Sequence, residues 1–343
     1  MKAPDFWYPA PPARTGVAAT LLTPLGWLYD GAGRFKARVT KAFDPGVPVI
    51  CVGNLTVGGT GKTPVALTLA RFLQAEGARP WFLTRGHGGR EAGPLQVDPA
   101  RHTAIDVGDE PLLLARTAPT AVSRNRAEGA GFAAARGADV IVMDDGFQNP
   151  GVAKTVNLVV VDGTALFGNG RVVPAGPLRE AVAHGLARAH GVIVMGPGRP
   201  DEALAPFAGP VFRGRLEAER DAVTDLQAHR HVAFAGIGRP TKFFATARAL
   251  GLTLVADIPF ADHHPYTPED FARLRAEADR LGAGLLTTEK DAARLSPTQR
   301  AALRVLPVRA TFDNEPALRR LISDRLDAYR TLQGDRPARS VGS

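Results

Sequence analysis

Short apolar runs rich in β-branched residues recur along this 343-residue chain, and the stretches between most of them carry apolar residues at helical spacing. The first run, Val47, Val49, Ile50 and Val52, enters a glycine-rich turn, after which Val65, Leu67, Leu69, Phe72 and Leu73 mark one face of a helix. Further runs at 80–84, 120–122, 140–143, 156–161 and 192–195 read as strands. Buried strands alternating with helices predict an α/β fold with a mostly parallel sheet flanked by helices on both faces. After Pro- and Gly-containing sequence from 196 to 210, the alternation resumes with strands at 232–235, 252–256, 285–288 and 305–308. That predicts a second, smaller α/β domain. The expected division is an N-terminal segment 1–42, a core domain 43–208, a C-terminal domain 209–332 and a disordered Gly-, Arg- and Ser-rich tail, 333–343.

Apolar content of 45% and charged content of 22% suit a globular protein with a substantial core. The single cysteine, Cys51, sits inside the first strand and reads as a buried small hydrophobe of a reduced, cytosolic protein. A net charge of +8 points to an anionic partner: nucleic acid, a phosphorylated substrate or an acidic membrane surface. Nucleic acid is disfavoured, because basic residues are not interleaved with aromatics and no nucleic-acid motif is present. The N-terminus narrows the choice further. Residues 17–29 carry Trp27 and Tyr29 but are too short, and too interrupted by Pro24, to span a bilayer. The Pro-rich leader with Asp5 is unlike a signal peptide. Residues 1–42 hold six Lys/Arg, among them Arg34, Lys36, Arg38 and Lys41, against Asp5 and Asp30. This pattern suits a peripheral segment lying in an anionic membrane interface, or equally an N-terminal helix packed on its own domain.

The turn after the first strand carries the chemistry. Thr56, Val57, Gly58, Gly59, Thr60, Gly61, Lys62 and Thr63 read as a phosphate-binding loop between a strand and a helix, with Thr56 where the usual pattern has glycine. The glycines let backbone N–H groups approach a polyphosphate at a helix N-terminus. Lys62 would bridge the β- and γ-phosphates of ATP, and Thr63 would give its hydroxyl to Mg²⁺. The strand at 140–143 runs into Asp144 and Asp145, paired acids placed to ligate Mg²⁺ directly or through water. A Gly/Pro-dense loop ends in Arg179 and Glu180, suited to touch phosphate and metal. Arg124 and Arg126 follow a strand end, where they could meet anionic substrate or form a solvated basic surface. Gln148 could touch ATP or sugar. Arg85, Lys290 and Asp291 could serve substrate binding or interdomain salt bridges, and His102 receives no role.

Ordered motifs then become specific: GNLTVGGTGKTP at 53–64, TRGHGG at 84–89, VGDEP at 107–111, DDGFQ at 144–148, PAGPLRE at 174–180, FAGIGRP at 234–240, DHH at 262–264 and TTEKDAARL at 287–295. Together they resemble the tetraacyldisaccharide 4'-kinases, the lipid A 4'-kinases of Gram-negative bacteria. The resemblance implies transfer of the γ-phosphate of ATP to the 4'-hydroxyl of a tetraacylated glucosamine disaccharide 1-phosphate at the cytoplasmic face of the inner membrane. It also implies that Asp109 pairs with His263, the Asp acting as base toward the sugar hydroxyl, across a cleft between the domains. Glu110 and Glu180 become candidates for water-mediated Mg²⁺ contacts, and Arg179 for the transferring phosphate or the substrate's 1-phosphate. A P-loop kinase or ATPase acting on a soluble metabolite would share the loop and the acids. It would leave the N-terminal aromatics unexplained. A nucleotide-dependent switch would not need the Asp109–His263 pair.

Overall fold

In the computed structural model of the chain, residues 4–9, 16–198 and 200–334 are described. Thirteen strands occur among them: β1 Val49–Gly53, β2 Pro80–Thr84, β3 Leu95–Gln96, β4 Thr120–Val122, β5 Val140–Asp144, β6 Val156–Asp162, β7 Gly191–Met195, β8 Val211–Ala218, β9 Arg230–Ala235, β10 Thr253–Pro259, β11 Gly284–Thr288, β12 Arg304–Leu306 and β13 Val308–Phe312. Nine form one sheet in the order β13, β8, β7, β6, β1, β5, β2, β4, β3, parallel except for the antiparallel pairs at its two edges. The other four form a parallel sheet in the order β10, β9, β11, β12.

Alternation along each central strand feeds two cores. Ile50, Val52, Val140 and Val142 point to one face, where they meet Val65 and Leu69 of helix Lys62–Ala75 and Leu318, Ile322 and Leu326 of helix Glu315–Gly334. Val49, Cys51, Ile141 and Met143 point to the other, with Ala130 and Ala133 of helix Arg126–Ala135. Each fully buried aliphatic side chain contributes roughly 1.5–3 kcal/mol, so β1 and β5 are anchored from both sides. The burial of Cys51 pushes its thiol pKa up, as expected of a packed hydrophobe rather than a reactive group.

The division between the two sheets does not follow the expected cut at 208/209. Strands β8 and β13 belong to the large sheet and the last helix packs into its core, so the small unit is the intervening segment, 219–307. The expected strand at 305–308 is in fact two. Pro307 has no N–H to donate to a ladder, and it separates β12, which extends the small sheet, from β13, which pairs with β8. Val308 lies opposite Ala218, so the chain leaves and re-enters the large sheet at neighbouring points.

The N-terminal segment forms helix Val17–Val39. No helix among the described residues is long and apolar enough to cross a membrane. Of the expected disordered tail, Gln333 and Gly334 close the last helix and 335–343 lie outside the described residues, as does part of the Pro-rich leader.

Candidate active site

Strand β1 ends at Gly53, and the chain turns before helix Lys62–Ala75 begins. Gly61, immediately before that helix, has φ +90°, a left-handed conformation costing roughly 1–2 kcal/mol for a residue with a Cβ. Register in the sheet pairs Val52 with Asp144, so strand neighbours bring the loop and the acids together although 81 positions separate Thr63 from Asp144. The Thr63 hydroxyl donates to Asp144 Oδ2 at 3.0 Å, and Lys62 Nζ lies 3.7 Å from Asp145 Oδ1.

These residues fit a divalent cation. Asp144 is 2% exposed, and its second oxygen, Oδ1, has no hydrogen-bond partner among the described residues. An unpaired, buried carboxylate oxygen beside a threonine hydroxyl is an incomplete shell that a cation would complete. Burial, with the charges of Glu110 and Asp145, pushes the Asp144 pKa up to about 7, against the pull of Lys62 and Thr63. Among the described residues no group of three His, Cys, Asp or Glu is gathered to hold a metal alone. The donor set therefore suits an ion that takes most of its oxygens from phosphate and water. Asp145 differs. Burial opposes its ionisation, but Lys62 and the two-pronged contact from Arg179, at 3.0 and 3.2 Å, outweigh that and hold its pKa below the usual carboxylate range. Its φ of +53° is a strained conformation of the kind that clusters at functional sites.

Asp109 opens helix Asp109–Leu114, directly after Gly108. Gly108 has φ +89°, and a Cβ there would overlap the carbonyl oxygen of His87. The Asp109 side chain is nearly buried, and Oδ1 accepts the amide of Glu110 at 3.0 Å. Oδ2 lies 3.1 Å from His263 Nδ1 and accepts from Arg294 Nη2 at 2.6 Å and Nε at 3.0 Å. Burial alone would raise the Asp109 pKa. The His263 hydrogen bond and the charges of Lys290 and Arg294 outweigh it and hold the group well below the usual carboxylate range. His263 is supplied by the small unit from a left-handed backbone, φ +58°. Its neighbour His264 is occupied otherwise: Nε2 meets Asp270 Oδ2 at 2.7 Å, and the ring packs against Phe260 and Tyr266.

The sequence pattern described as LpxK, Tetraacyldisaccharide-1-P 4'-kinase, matches residues 18–327. The chain belongs to this family. A tetraacyldisaccharide 4'-kinase of Rhodospirillum centenum is 51% identical over 327 residues, which cover 95% of this chain and 97% of that protein. One from Parvibaculum lavamentivorans is 51% identical over 344 residues, covering 96% and 99%. Among solved structures, the "apo" form of LpxK from Aquifex aeolicus in complex with ATP superposes with a TM-score of 0.72 at 27% identity, covering 90% of this chain and 99% of that one.

Other candidates in this 4'-kinase take different places. Glu180 is not gathered with Thr63 and Asp144: its carboxylate is held by Arg188, at 2.7 Å to each oxygen, and by Gln148 Nε2 at 3.0 Å. Gln148 also donates to the Asn54 carbonyl at 2.9 Å. With Val57 N–H to Pro177 O and Arg179 N–H to Leu55 O, both 2.7 Å, these bonds strap the 174–180 loop to the phosphate loop. Arg124 donates to the carbonyls of Arg90 at 3.1 Å and Gly89 at 3.5 Å, clipping a neighbouring turn. Arg126 is buried. It donates to Ser123 O at 2.7 Å, and its Nε has no partner among the described residues. Burial and then Arg85 bring its pKa down to about 10, opposed by Asp145 and Asp144, so an unpaired N–H stands within electrostatic reach of the acid pair. Lys290 bridges Glu110, at 3.3 Å, and His263 Nε2, at 3.4 Å, which makes it a contact between the two units.

Sequence reading passed over Arg294. It lies four positions after Lys290, a spacing that puts both on one face of a helical turn and was the available signal. Arg188, which braces Glu180, carried no chemical signature, and Asn54 stood inside the 53–64 motif with no role assigned.

Proposed function

We propose that this chain is an ATP-dependent lipid kinase that transfers the γ-phosphate to the 4'-hydroxyl of a tetraacylated glucosamine disaccharide 1-phosphate. The observation that carries the reading is the Asp109–His263 contact at 3.1 Å, which joins a carboxylate of the large unit to an imidazole of the small one. A soluble-metabolite kinase would leave unexplained the apolar stripe described below.

In this reading the loop from Thr56 to Thr63 would cradle the triphosphate with the backbone of Gly58, Gly59 and Thr60, while the Val57 N–H stays on Pro177 O at 2.7 Å. Lys62, now 3.7 Å from Asp145 Oδ1, would be available to the phosphates of bound ATP. Thr63 and Asp144 would hold Mg²⁺, with Asp145 and Glu110 nearby. The ion would neutralise charge on the phosphate oxygens. Asp109 accepts the proton of the attacking 4'-hydroxyl while His263 orients it. Arg179 and Arg126 contact phosphate, of ATP or of the lipid.

The lipid is met at an anionic membrane surface, on the cytoplasmic face of the inner membrane, through helix Val17–Val39. Val17, Leu21, Leu25, Leu28, Phe35 and Val39 fall within about a quarter of its circumference, and all are exposed. The opposite face carries Ala19 and Gly26, the helix's two buried residues. That face docks on the 171–184 segment: Arg171 donates to Ala19 O and Thr23 Oγ1, and Asp30 accepts the Ala181 amide at 3.1 Å. Docking by the small-residue face and exposing the apolar one suits a helix lying in the interface.

The test is transfer of label from γ-labelled Mg·ATP to the tetraacylated disaccharide 1-phosphate in detergent micelles. Labelled lipid is expected, and Lys62→Ala should lower the rate by about 10²-fold or more. ATP hydrolysis by folded protein with no labelled lipid would refute the assignment.

A further inference from the structure

Asp109 is gripped from the small unit by a second group that the pairing with His263 does not require. Arg294 follows helix Glu289–Ala293 and presents Nε and Nη2 together to Asp109 Oδ2, at 3.0 and 2.6 Å. The other arm of its fork is already fixed: Nη1 donates to Asp291 Oδ1 and to Gly236 O, both at 2.8 Å. Asp291 is fully buried. Its Oδ1 also accepts from Gly236 N–H at 3.0 Å and from the Tyr266 hydroxyl at 2.9 Å, and its Oδ2 accepts from Thr288 Oγ1 at 2.7 Å. Every one of these braces belongs to the small unit, so the guanidinium is aimed independently of the residue it grips.

Comparison with the adjacent contact shows that this is more than surface attachment. Lys290 and Glu110 meet at 3.3 Å with side chains 27% and 32% exposed, where an ion pair adds little. The Arg294 and Asp109 side chains are 4% and 6% exposed. In such surroundings a charged fork fixes geometry strongly, and the loss of either partner leaves an uncompensated charge. Asp109 is thereby held at both oxygens, Oδ1 by the Glu110 amide and Oδ2 by the fork, which removes rotation of the carboxylate and sets its orientation toward His263.

We infer that Arg294 is a positioning residue for phosphoryl transfer, a guanidinium braced by Asp291 and the Gly236 carbonyl that fixes the Asp109 carboxylate across the junction of the two units. The inference rests on the reading of Asp109 as the group that accepts the hydroxyl proton. It does not place Arg294 in contact with substrate.

The experiment measures kcat, KM for ATP and melting temperature for Arg294→Met, Arg294→Lys, Asp109→Asn and the double variant Asp109→Asn/Arg294→Met. Arg294→Met should lower kcat by about 10²-fold, the scale of an ångström of misplacement, with KM for ATP unchanged. Arg294→Lys should recover part of the loss, since it returns the charge but not the fork. The double variant should be no slower than Asp109→Asn, because Arg294 acts only through that carboxylate. A wild-type kcat in Arg294→Met, or losses that multiply in the double variant, would overturn the inference. If Arg294→Met does not fold, Arg294→Lys decides: a kcat at least about 10-fold low at an undiminished melting temperature supports positioning, and a wild-type kcat refutes it. A wild-type rate in Asp109→Asn would instead sink the reading of Asp109 itself.

Discussion

Asp144→Asn is expected to make the cation-free protein more stable above neutrality and to flatten its dependence on pH. The folded-state pKa of Asp144 stands at about 7 against an ordinary value of 3.8, because of its burial and its acidic neighbours. Between those values the folded protein holds a proton that the unfolded chain has released. Stability therefore falls as pH rises from about 4, and levels off once the folded group has also ionised above about 7. A shift of roughly three units corresponds to on the order of 4 kcal/mol across the whole window. From pH 5.5 to pH 8 only the last part of that window is crossed, worth about 2 kcal/mol. At 2% exposure the group gains little relief from solvent. Asparagine keeps an oxygen for the Thr63 hydroxyl and carries no charge. Urea unfolding in the presence of EDTA should show the wild type losing about 2 kcal/mol more than the variant between those pH values. Millimolar Mg²⁺ at pH 8 should restore much of that loss in the wild type and little in the variant. Parallel pH profiles for the two proteins would refute the argument, since the charge at Asp144 would then carry no cost.

Three further outcomes follow from the packing. Gly108→Ala should destabilise the fold by about 1–3 kcal/mol and lower kcat, since a left-handed residue pressed against His87 O must move the start of the helix that carries Asp109; urea titration with steady-state rates checks both. Leu318→Ala, a cavity in the large core, should cost about 2–5 kcal/mol and loosen the large unit if the last helix belongs there, read by urea unfolding with hydrogen exchange in β1 and β5. Exchange confined to 219–307 would contradict that placement. Leu21→Asp with Leu28→Asp should abolish most cosedimentation with vesicles rich in anionic lipid while leaving the melting temperature unchanged, because both side chains are exposed. Undiminished binding would remove the helix from the membrane contact.

Much of this protein was legible in the chain because its signals are local. A strand such as Pro80–Thr84 is bounded by its own residues, and the phosphate loop needs only a strand, glycines and a Lys-Thr at a helix start. The ordered motifs pointed to the family, and the pattern matched over 18–327 established it. What escaped reading depends on which strand lies beside which. Strand β8 follows the Pro- and Gly-containing stretch, where the small domain was expected to begin and no strand was read, and no local pattern announces that 211–218 pairs with 308–312 to return the last helix to the large core. The same holds in the site. Glu180 sits in the chain beside Arg179, yet burial beside Arg188 and Gln148 gives it a bracing contact, while Arg179 reaches Asp145. Arg294 is 185 positions from Asp109, and only the packing of the two units brings its guanidinium to 2.6 Å from that carboxylate. Sequence by itself determined the central strands and helices, the phosphate loop and the types of chemistry present, since these follow from period and residue type. The Asp109–His263 pair came from the family resemblance; tertiary structure alone decided that Arg294 joins it, which other charges are paired and which oxygen of Asp144 has no partner among the described residues, because pairing in a low-dielectric interior is set by distances that no sequence spacing encodes.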